Sequence, residues 1–225
     1  MPQRKGKKIL IYFFLFLLVG SINNDTINNF KFENIKNINV LGLGHNDNQV
    51  LLSNIIDLNL ENIFFLDKKN INKVINSNTL VHDYEIFKRY PHSIDINVKR
   101  TKFLAKIKHD KIFFLIGSNG KPSSIEHEDK SNYLPFIFGK PEIDQFLKFK
   151  QKIDDSKFNY NDINNLFFFS TQRWDIQLKN DLLIKLPSEN IQKTLELVSD
   201  FLLENDNNSI KMVDVRIQNQ IILDD

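Results

Sequence analysis

The stretch YEIFKRYPHSIDINVKRTKFLAKI, residues Tyr84–Ile107, decides how the chain divides into domains. Apolar residues alternate with polar ones from Ile94 to Val98, which is the pattern of a half-buried strand. Pro91 stands just before this strand, where a missing backbone N–H does no harm and a fixed φ favours a reversal of the chain. A further extended run follows Arg100–Lys102 with little turn signal. We therefore predict a hairpin around Pro91 and, at Arg100–Lys102, a join between two domains whose strands are nearly continuous.

The composition is that of a folded chain without cysteine chemistry. The 225 residues are 41% hydrophobic and 26% charged, values typical of globular proteins. A net charge of +2 is too small to indicate a strongly basic surface of the kind that binds nucleic acid. The absence of cysteine excludes disulfides, thiolate catalysis and zinc sites built on cysteine.

The N-terminus carries a basic segment followed by an uncharged apolar run, Ile9–Ile22. The run is shorter than the ~20 residues that a bilayer span prefers. Two interpretations are open: a secretory signal cleaved near Val19–Ser21, or an uncleaved anchor. The bulky side chains and the lack of an A-x-A site favour the anchor. We predict a cytoplasmic tail at residues 1–8, a transmembrane helix at 9–27 and export of the remaining chain, since basic flanks stay in the cytoplasm.

The first exported segment, residues 32–101, has the pattern of a small α+β domain. Its order is strand, helix, helix, strand, strand, with a glycine turn at Gly42 after the first strand. Asp67 is a candidate N-cap for the second helix. Two helices on one face of a three-stranded sheet are the economical packing for these elements.

The second segment, residues 102–225, is richer in strands, and we predict a mostly antiparallel β domain with a C-terminal helix and strand. Ser188 is expected to cap that helix, and the strand pattern after it breaks at Gln218–Gln220 and resumes. The phenylalanine clusters at Ile112–Phe114 and Phe167–Phe169 are interpreted as core strands.

No catalytic or cofactor-binding constellation stands out. The five histidines lack metal-ligand spacing, and the one acidic-histidine cluster, Glu126–Asp129, is more typical of a solvated loop. His82 and Asp83 are adjacent on a strand, so their side chains point to opposite faces. Nucleophile-elbow, P-loop and dinucleotide motifs are missing from the sequence. We predict a protein that is not an enzyme and that uses no metal, cofactor, nucleic acid or small-molecule substrate.

Several motifs occur in an order and spacing that resemble the FtsQ/DivIB family of bacterial cell-division proteins. They are INVLGLG at 38–44, IFFLDKKNINKVI at 63–75, VHDYEIFKRYPHSIDINV at 81–98, SNGK at 118–121, LPFIFG at 134–139, RWDIQLKND at 173–181 and VDVRI at 213–217. In that family the first extracytoplasmic unit is a POTRA domain and the second is called the β domain. The sequence departs from the family pattern at Arg100, Phe103 and Asp181.

The resemblance implies a non-catalytic scaffold of the divisome, the machine that builds the division septum. Such a protein has a single inner-membrane anchor, a cytoplasmic N-terminus and a periplasmic bulk, and it lies at the septum. Its partners are FtsB and FtsL, through which it influences septal peptidoglycan synthesis by FtsW and FtsI. The last strands of the β domain are the docking edge for FtsB. The corresponding residues here are Arg173, Val215, Arg216, Ile217, Gln218, Asn219, Gln220, Ile221, Ile222 and Leu223.

The residues themselves are compatible with that edge, because the segment is apolar and Arg216 is its only charge before Asp224. An exposed edge strand offers unpaired backbone groups to a partner strand. The alternative is an ordinary core strand that is paired on both sides. Arg173 and Arg216 are candidate partners for acidic residues of an FtsB-like chain, and Trp174 is expected to pack inward. An alternative function is that of a periplasmic POTRA-type chaperone or assembly factor, although such proteins carry several POTRA units; an envelope enzyme is a third and weaker alternative.

Overall fold

The computed structural model describes residues 4–22, 33–127, 133–204, 210–218 and 220–224. Helix α1 (Arg4–Ile22) contains the apolar run of the N-terminus, and residues 23–27 of the predicted span lie outside the described residues. None of the helices in these ranges combines the length and the apolar character that crossing a membrane requires.

The first unit, residues 33–100, is a three-stranded sheet with two helices. In chain order its elements are β1 (Asn37–Leu41), α2 (His45–Ile56), α3 (Lys68–Ser77), β2 (Val81–Arg89) and β3 (Ser93–Arg100). The strands lie in the order β1–β3–β2, with β1 parallel and β2 antiparallel to the central strand β3. The predicted order of elements and the hairpin around Pro91 are therefore present in the structure.

The core of the first unit follows the sequence pattern that predicted it. Ile94 and Ile96 of β3 are fully buried, and they pack with Ile71 and Ile75 of helix α3. That helix begins where the sequence predicted, because the carboxylate of Asp67 accepts a hydrogen bond from the backbone N–H of Lys69 at 2.9 Å. Local capping and alternation thus agree with the tertiary packing.

The second unit begins at residue 103 and is built on a nine-stranded sheet. Its strands lie in the order β12–β11–β10–β9–β8–β7–β4–β5–β6. The strands are β4 (Phe103–His109), β5 (Ile112–Gly117), β6 (Pro122–Ser124), β7 (Phe136–Phe138), β8 (Ile163–Phe168), β9 (Trp174–Leu178), β10 (Leu183–Lys185), β11 (Met212–Asp214) and β12 (Ile222–Asp224). Most neighbouring strands are antiparallel, but β7 is parallel to both β4 and β8, and β10 is parallel to β11.

Helices α4 (Ile143–Asp154) and α5 (Ile191–Glu204) supply apolar side chains to the core of this sheet. Phe149 of α4 stacks on Trp174 of β9, with the ring centroids 4.6 Å apart and the planes within 3°. The indole is buried, as expected from its alternation with Arg173. Stacking of two large aromatic rings fixes helix against sheet more specifically than aliphatic contact alone.

The phenylalanine clusters do not simply form core strands. Phe113, Phe136, Phe138 and Phe167 make a ladder across β5, β7 and β8, with successive ring centroids 6.0, 4.7 and 5.0 Å apart. Phe113 and Phe138 are exposed, whereas Ile137 between the two β7 rings is buried. The interpretation as core was incomplete because alternation puts every second aromatic on the sheet face opposite the buried one.

The two units meet at a joint of only two residues, since β3 ends at Arg100 and β4 begins at Phe103. Nη1 of Arg100 reaches Oδ2 of Asp47 at 2.8 Å and also contacts the carbonyl of Leu43. Phe103 belongs to the second sheet, yet its ring packs against the core of the first unit. Two of the three positions at which the sequence departs from the FtsQ/DivIB pattern, Arg100 and Phe103, therefore flank the joint, and Phe103 makes a contact across it.

The turn between β5 and β6 also fastens the two units together. Nδ2 of Asn119 donates to the carbonyls of Thr79 and Val81 in the first unit, both at 2.8 Å. Nζ of Lys121 donates to the carbonyl of Asn78 at 3.3 Å. The sequence predicted a tight turn here, and Gly120 has the expected positive φ of 72°. Its docking on the first unit was not predicted, because the acceptors are carbonyls some forty residues away.

Asn119→Ala is expected to loosen the joint. The substitution removes two donors and leaves two carbonyls without them, which costs about 1–3 kcal/mol for part-buried groups. The free energy of unfolding in urea should fall by that amount, and proteolysis between residues 100 and 103 should accelerate. Asn180→Ala is the matched control, because Asn180 lies in the β9–β10 turn and its side chain accepts a hydrogen bond from the N–H of Leu182 in the same turn. Equal behaviour of the two variants would contradict the fastening role of Asn119.

Candidate partner-docking edge

Strand β12 lies at one edge of the large sheet and pairs only with β11. Within the described residues, therefore, one side of β12 has no neighbouring strand. In this part of the structure β12 is an edge strand and not the core strand, paired on both sides, that the sequence left as an alternative. Ile222 and Leu223 are 46% and 45% exposed. The edge thus combines two half-exposed apolar side chains with an unpaired side of the backbone.

The segment before β12 is a connection rather than a strand. Val215 is buried in the core and Ile221 packs against that core, so neither side chain is presented to a partner. Ile217 is exposed, and its carbonyl accepts from the N–H of Gln220 at 3.2 Å, which closes a turn. Gln218 and Gln220 are also exposed, and Asn219 lies outside the described residues. The predicted break at Gln218–Gln220 coincides with this turn.

Arg216 is committed to a carboxylate of its own chain. Its Nε lies 2.8 and 2.9 Å from the two oxygens of Asp214, and its backbone N–H donates to Oδ1 of the same residue. These hydrogen bonds hold the pKa of the Asp214 carboxyl below its usual range and raise the pKa of Arg216. The pair fixes the first turn after β11, while the guanidinium stays partly exposed.

Arg173 is engaged in a similar way at the start of β9. Its guanidinium lies 4.4 Å from the ring centroid of Phe169 and donates to Asp175 at 3.2 and 3.3 Å. Asp175 is buried, and burial raises the pKa of its carboxyl although the charge of Arg173 opposes that shift. Both predicted arginines therefore already hold a carboxylate, so an acidic partner residue would share each guanidinium rather than meet a free one.

The acidic-histidine segment Glu126–Asp129, which the sequence assigns to a solvated loop, is described only at its first two residues. Among the side chains that the structure describes, there is no group of three or more potential metal ligands. Nδ1 of His127 lies 3.9 Å from a carboxylate oxygen of Asp47 in the first unit, and Glu126 is exposed. The other members of the cluster, residues 128 and 129, lie outside the described ranges.

Family models match both units of the chain. A model described as POTRA domain, FtsQ-type, matches residues 33–99. A model described as Cell division protein FtsQ/DivIB, C-terminal, matches residues 105–216. Together the two models cover almost every element of both sheets. Residues 100–104, which lie between the two matches, include the joint.

Curated relatives have the same two names. Cell division protein FtsQ of Rhizobium radiobacter is 25% identical over 139 residues, which cover 61% of this chain and 66% of that protein. Cell division protein DivIB of Clostridium botulinum (strain Loch Maree / Type A3) is 28% identical over 154 residues, covering 67% of this chain and 59% of that protein. The chain therefore spans less than two thirds of the length of these relatives.

Among solved structures, the major extracytoplasmic domain of the trans isomer of DivIB from Geobacillus stearothermophilus is similar with a TM-score of 0.33 and 11% sequence identity. The match covers 48% of this chain and 98% of that structure. The two family models, which follow one another in the order of the two sheets, identify the chain without that comparison. The chain belongs to the FtsQ/DivIB family of bacterial cell-division proteins.

Proposed function

We propose that this protein is a non-catalytic divisome scaffold that binds an FtsB-like and an FtsL-like partner. Through them it links the division site to septal peptidoglycan synthesis by FtsW and FtsI. The observation that carries the proposal is the position of β12, which ends the large sheet as an apolar edge strand. Membership of the family supplies the class of partner.

The edge favours recognition by addition of a strand. A partner segment that pairs with β12 gains main-chain hydrogen bonds, and its side chains can cover Ile222 and Leu223. Arg173 and Arg216 both act electrostatically on Asp175, so the two guanidinium groups are close enough to serve together as candidate sites for acidic partner residues. Because their guanidinium groups already hold Asp214 and Asp175, they are pre-oriented, which lowers the entropy lost when a second carboxylate binds.

We also propose that the N-terminus anchors the protein in the inner membrane, with residues 1–8 in the cytoplasm and the anchor at 9–27. The side chains from Ile9 to Val19 are exposed around the whole helix α1, a distribution that is unfavourable in water. Lysine side chains at its N-terminal end can reach the headgroups of a thin bilayer. The POTRA domain, proposed at 32–101, and the β domain, proposed at 102–225, then lie in the periplasm and assemble at the septum.

The full-length chain tests this function in its own cells. A fluorescent fusion to the N-terminus is expected to concentrate at division septa, and detergent-solubilised membranes should yield the FtsB-like and FtsL-like proteins with it. A uniform envelope distribution without either partner would refute the divisome role. Mass spectrometry of the isolated protein tests the anchor separately, because a mature chain that starts near Ile22 would mean that the apolar run is a cleaved signal.

A further inference from the structure

The first unit has one end at which the chain enters and another at which the second unit is attached. At the entry end, the backbone N–H of Ile35 donates to the carbonyl of Glu61 at 3.2 Å, and that of Lys36 donates to the carbonyl of His92 at 2.9 Å. Asn34 forms a bridge with Asn62. The incoming segment is thus held between the α2–α3 connection and the β2–β3 turn.

These two loops carry three large aromatic side chains that project outward. Phe64, Phe65 and Tyr90 are 50%, 72% and 62% exposed, and the rings of Phe64 and Tyr90 lie 5.2 Å apart. We call these three residues the aromatic tip. Exposed aromatic rings that sit together on one end of a domain are typical of a surface that meets an apolar phase or a partner.

The backbone under the aromatic tip is fixed. Oδ1 of Asn62 accepts hydrogen bonds from the N–H groups of Phe64 and Phe65 at 3.2 and 3.1 Å. Nζ of Lys88 donates to the carbonyl of Ile63 at 2.9 Å, while the Ile63 side chain is buried. The connection is therefore anchored by the residue that precedes the phenylalanines, so their exposure follows from the local fold.

The direction of the chain through the first unit decides whether the aromatic tip faces the membrane or the second unit. The opposite end of the first unit is taken by the joint, where Asn119 of the second unit donates hydrogen bonds to the carbonyls of Thr79 and Val81. Only ten residues, 23–32, lie between the end of α1 and Glu33. Fully extended they reach at most ~35 Å. If α1 is anchored in a bilayer, the end that carries the aromatic tip is the end nearest the lipid surface.

We propose that Phe64, Phe65 and Tyr90 insert into the headgroup region of the membrane in which α1 is anchored. This inference rests on the anchor in the proposed function. Aromatic side chains are suited to this region, because the ring enters the apolar boundary while the Tyr90 hydroxyl stays wet.

Charge at the tip does not select anionic lipid. The nearby charges nearly balance: Lys36, Lys68, Lys69 and Lys88 stand against Glu33, Glu61 and Asp67, and Arg89 is paired with Asp95 at 2.8 Å. Lys36 and Glu33 are moreover paired at 2.8 Å. Contact should therefore occur with uncharged phosphatidylcholine as well as with anionic lipid.

A membrane contact at this end has a consequence for the docking edge. Three rings in the interface would restrain the tilt of the first unit, and the fastened joint would transmit that restraint to the second unit. Strand β12 would then be presented to its partner at a set height above the membrane.

Quenching of a tryptophan placed in the tip tests the proposal. Full-length protein carrying Phe65→Trp is reconstituted in phosphatidylcholine vesicles whose acyl chains are brominated, and its emission is compared with that in unbrominated vesicles. The control is Phe113→Trp, which replaces an exposed phenylalanine of the second unit. Wild type provides the baseline, because Trp174 is buried. Both substituted side chains are exposed, so circular dichroism should match that of wild type.

We expect blue-shifted emission and strong quenching for Phe65→Trp and no quenching for Phe113→Trp. If the protein floats with the vesicles but both variants show the same emission, the aromatic tip does not insert into the membrane, whereas the anchor remains supported. If the emission is blue-shifted but bromine does not quench it, the ring at position 65 contacts protein and not lipid, which also contradicts membrane insertion of the aromatic tip. If the protein does not float with the vesicles, both the proposed anchor and the insertion of the aromatic tip are contradicted.

Discussion

Replacing Ile222 and Leu223 together by lysine is expected to weaken binding of the FtsB-like partner roughly 30- to 140-fold. Both side chains are about half exposed, so a partner strand that covers them gains about 1 kcal/mol from each. Lysine removes that gain and adds the cost of desolvating a charge, which together amounts to about 2–3 kcal/mol. The dissociation constant of the detergent-solubilised full-length proteins, measured by titration, checks the value.

The matched control for the edge is Leu197→Lys. Leu197 is 45% exposed, the same fraction as Leu223, but it lies on helix α5 and not on strand β12. Binding should be unchanged in this variant. If the double edge variant binds as tightly as wild type, β12 is not the docking strand.

Ile221→Lys, which the sequence alone would nominate for this test, is less informative. Ile221 packs against the core of the second unit, so lysine there would disturb folding as well as binding. The half-exposed neighbours separate the two effects, because their substitution leaves the core filled.

Gly42→Ala is expected to unfold much of the first unit. A Cβ at this position would lie 1.7 Å from the carbonyl oxygen of Val98, and the φ of 117° is one that side chains rarely adopt. The clash would push β1 away from β3, the strand with which it pairs. We expect a loss of more than about 4 kcal/mol, close to the whole stability of a small domain. Hydrogen exchange of residues 37–100, measured by mass spectrometry, should become fast.

Gly44→Ala separates backbone strain from steric clash. Gly44 also has a positive φ, of 110°, but the nearest atom to its Cβ is the flexible Nη1 of Arg100 at 3.8 Å. This variant should lose only the strain contribution of about 1–3 kcal/mol. In both variants the emission of Trp174 reports whether the second unit stays folded. Equal protection of the first unit in the two variants would contradict the close approach at Val98.

Much of the first unit could be predicted because its signals are local. The alternation from Ile94 to Val98, the capping Asp67 and the turn at Pro91 each specify a short piece of backbone, and the structure contains all three. Phe113 and Phe167, which belong to the aromatic ladder, were assigned to core strands, although Phe113 is exposed. Alternation reveals that a strand has two different faces, but which face the helices cover depends on segments far along the chain.

The same distinction applies to the candidate site. The sequence indicated the arginines and the C-terminal apolar segment, but it could not tell that Val215 is buried while Ile222 is exposed. Burial in a short strand depends on neighbouring strands, and β11 acquires β10 as a parallel neighbour only after helix α5 has crossed back. The carboxylates that hold Arg173 and Arg216 lie two residues from each guanidinium, a spacing that places both on one face of an extended chain.

The sequence by itself determined the two-unit organisation, the hairpin at Pro91 and the resemblance to FtsQ/DivIB. It also indicated the apolar C-terminal segment as the candidate docking edge. These features depend on periodicity, turn residues and motif order, which are properties of neighbouring residues. Only the tertiary structure decided that β12 is an edge, that Asn119 fastens the joint and that the aromatic tip lies at the end where the chain enters. Each of these is a relation between segments far apart in the chain, and no local pattern encodes which distant surface a residue will meet.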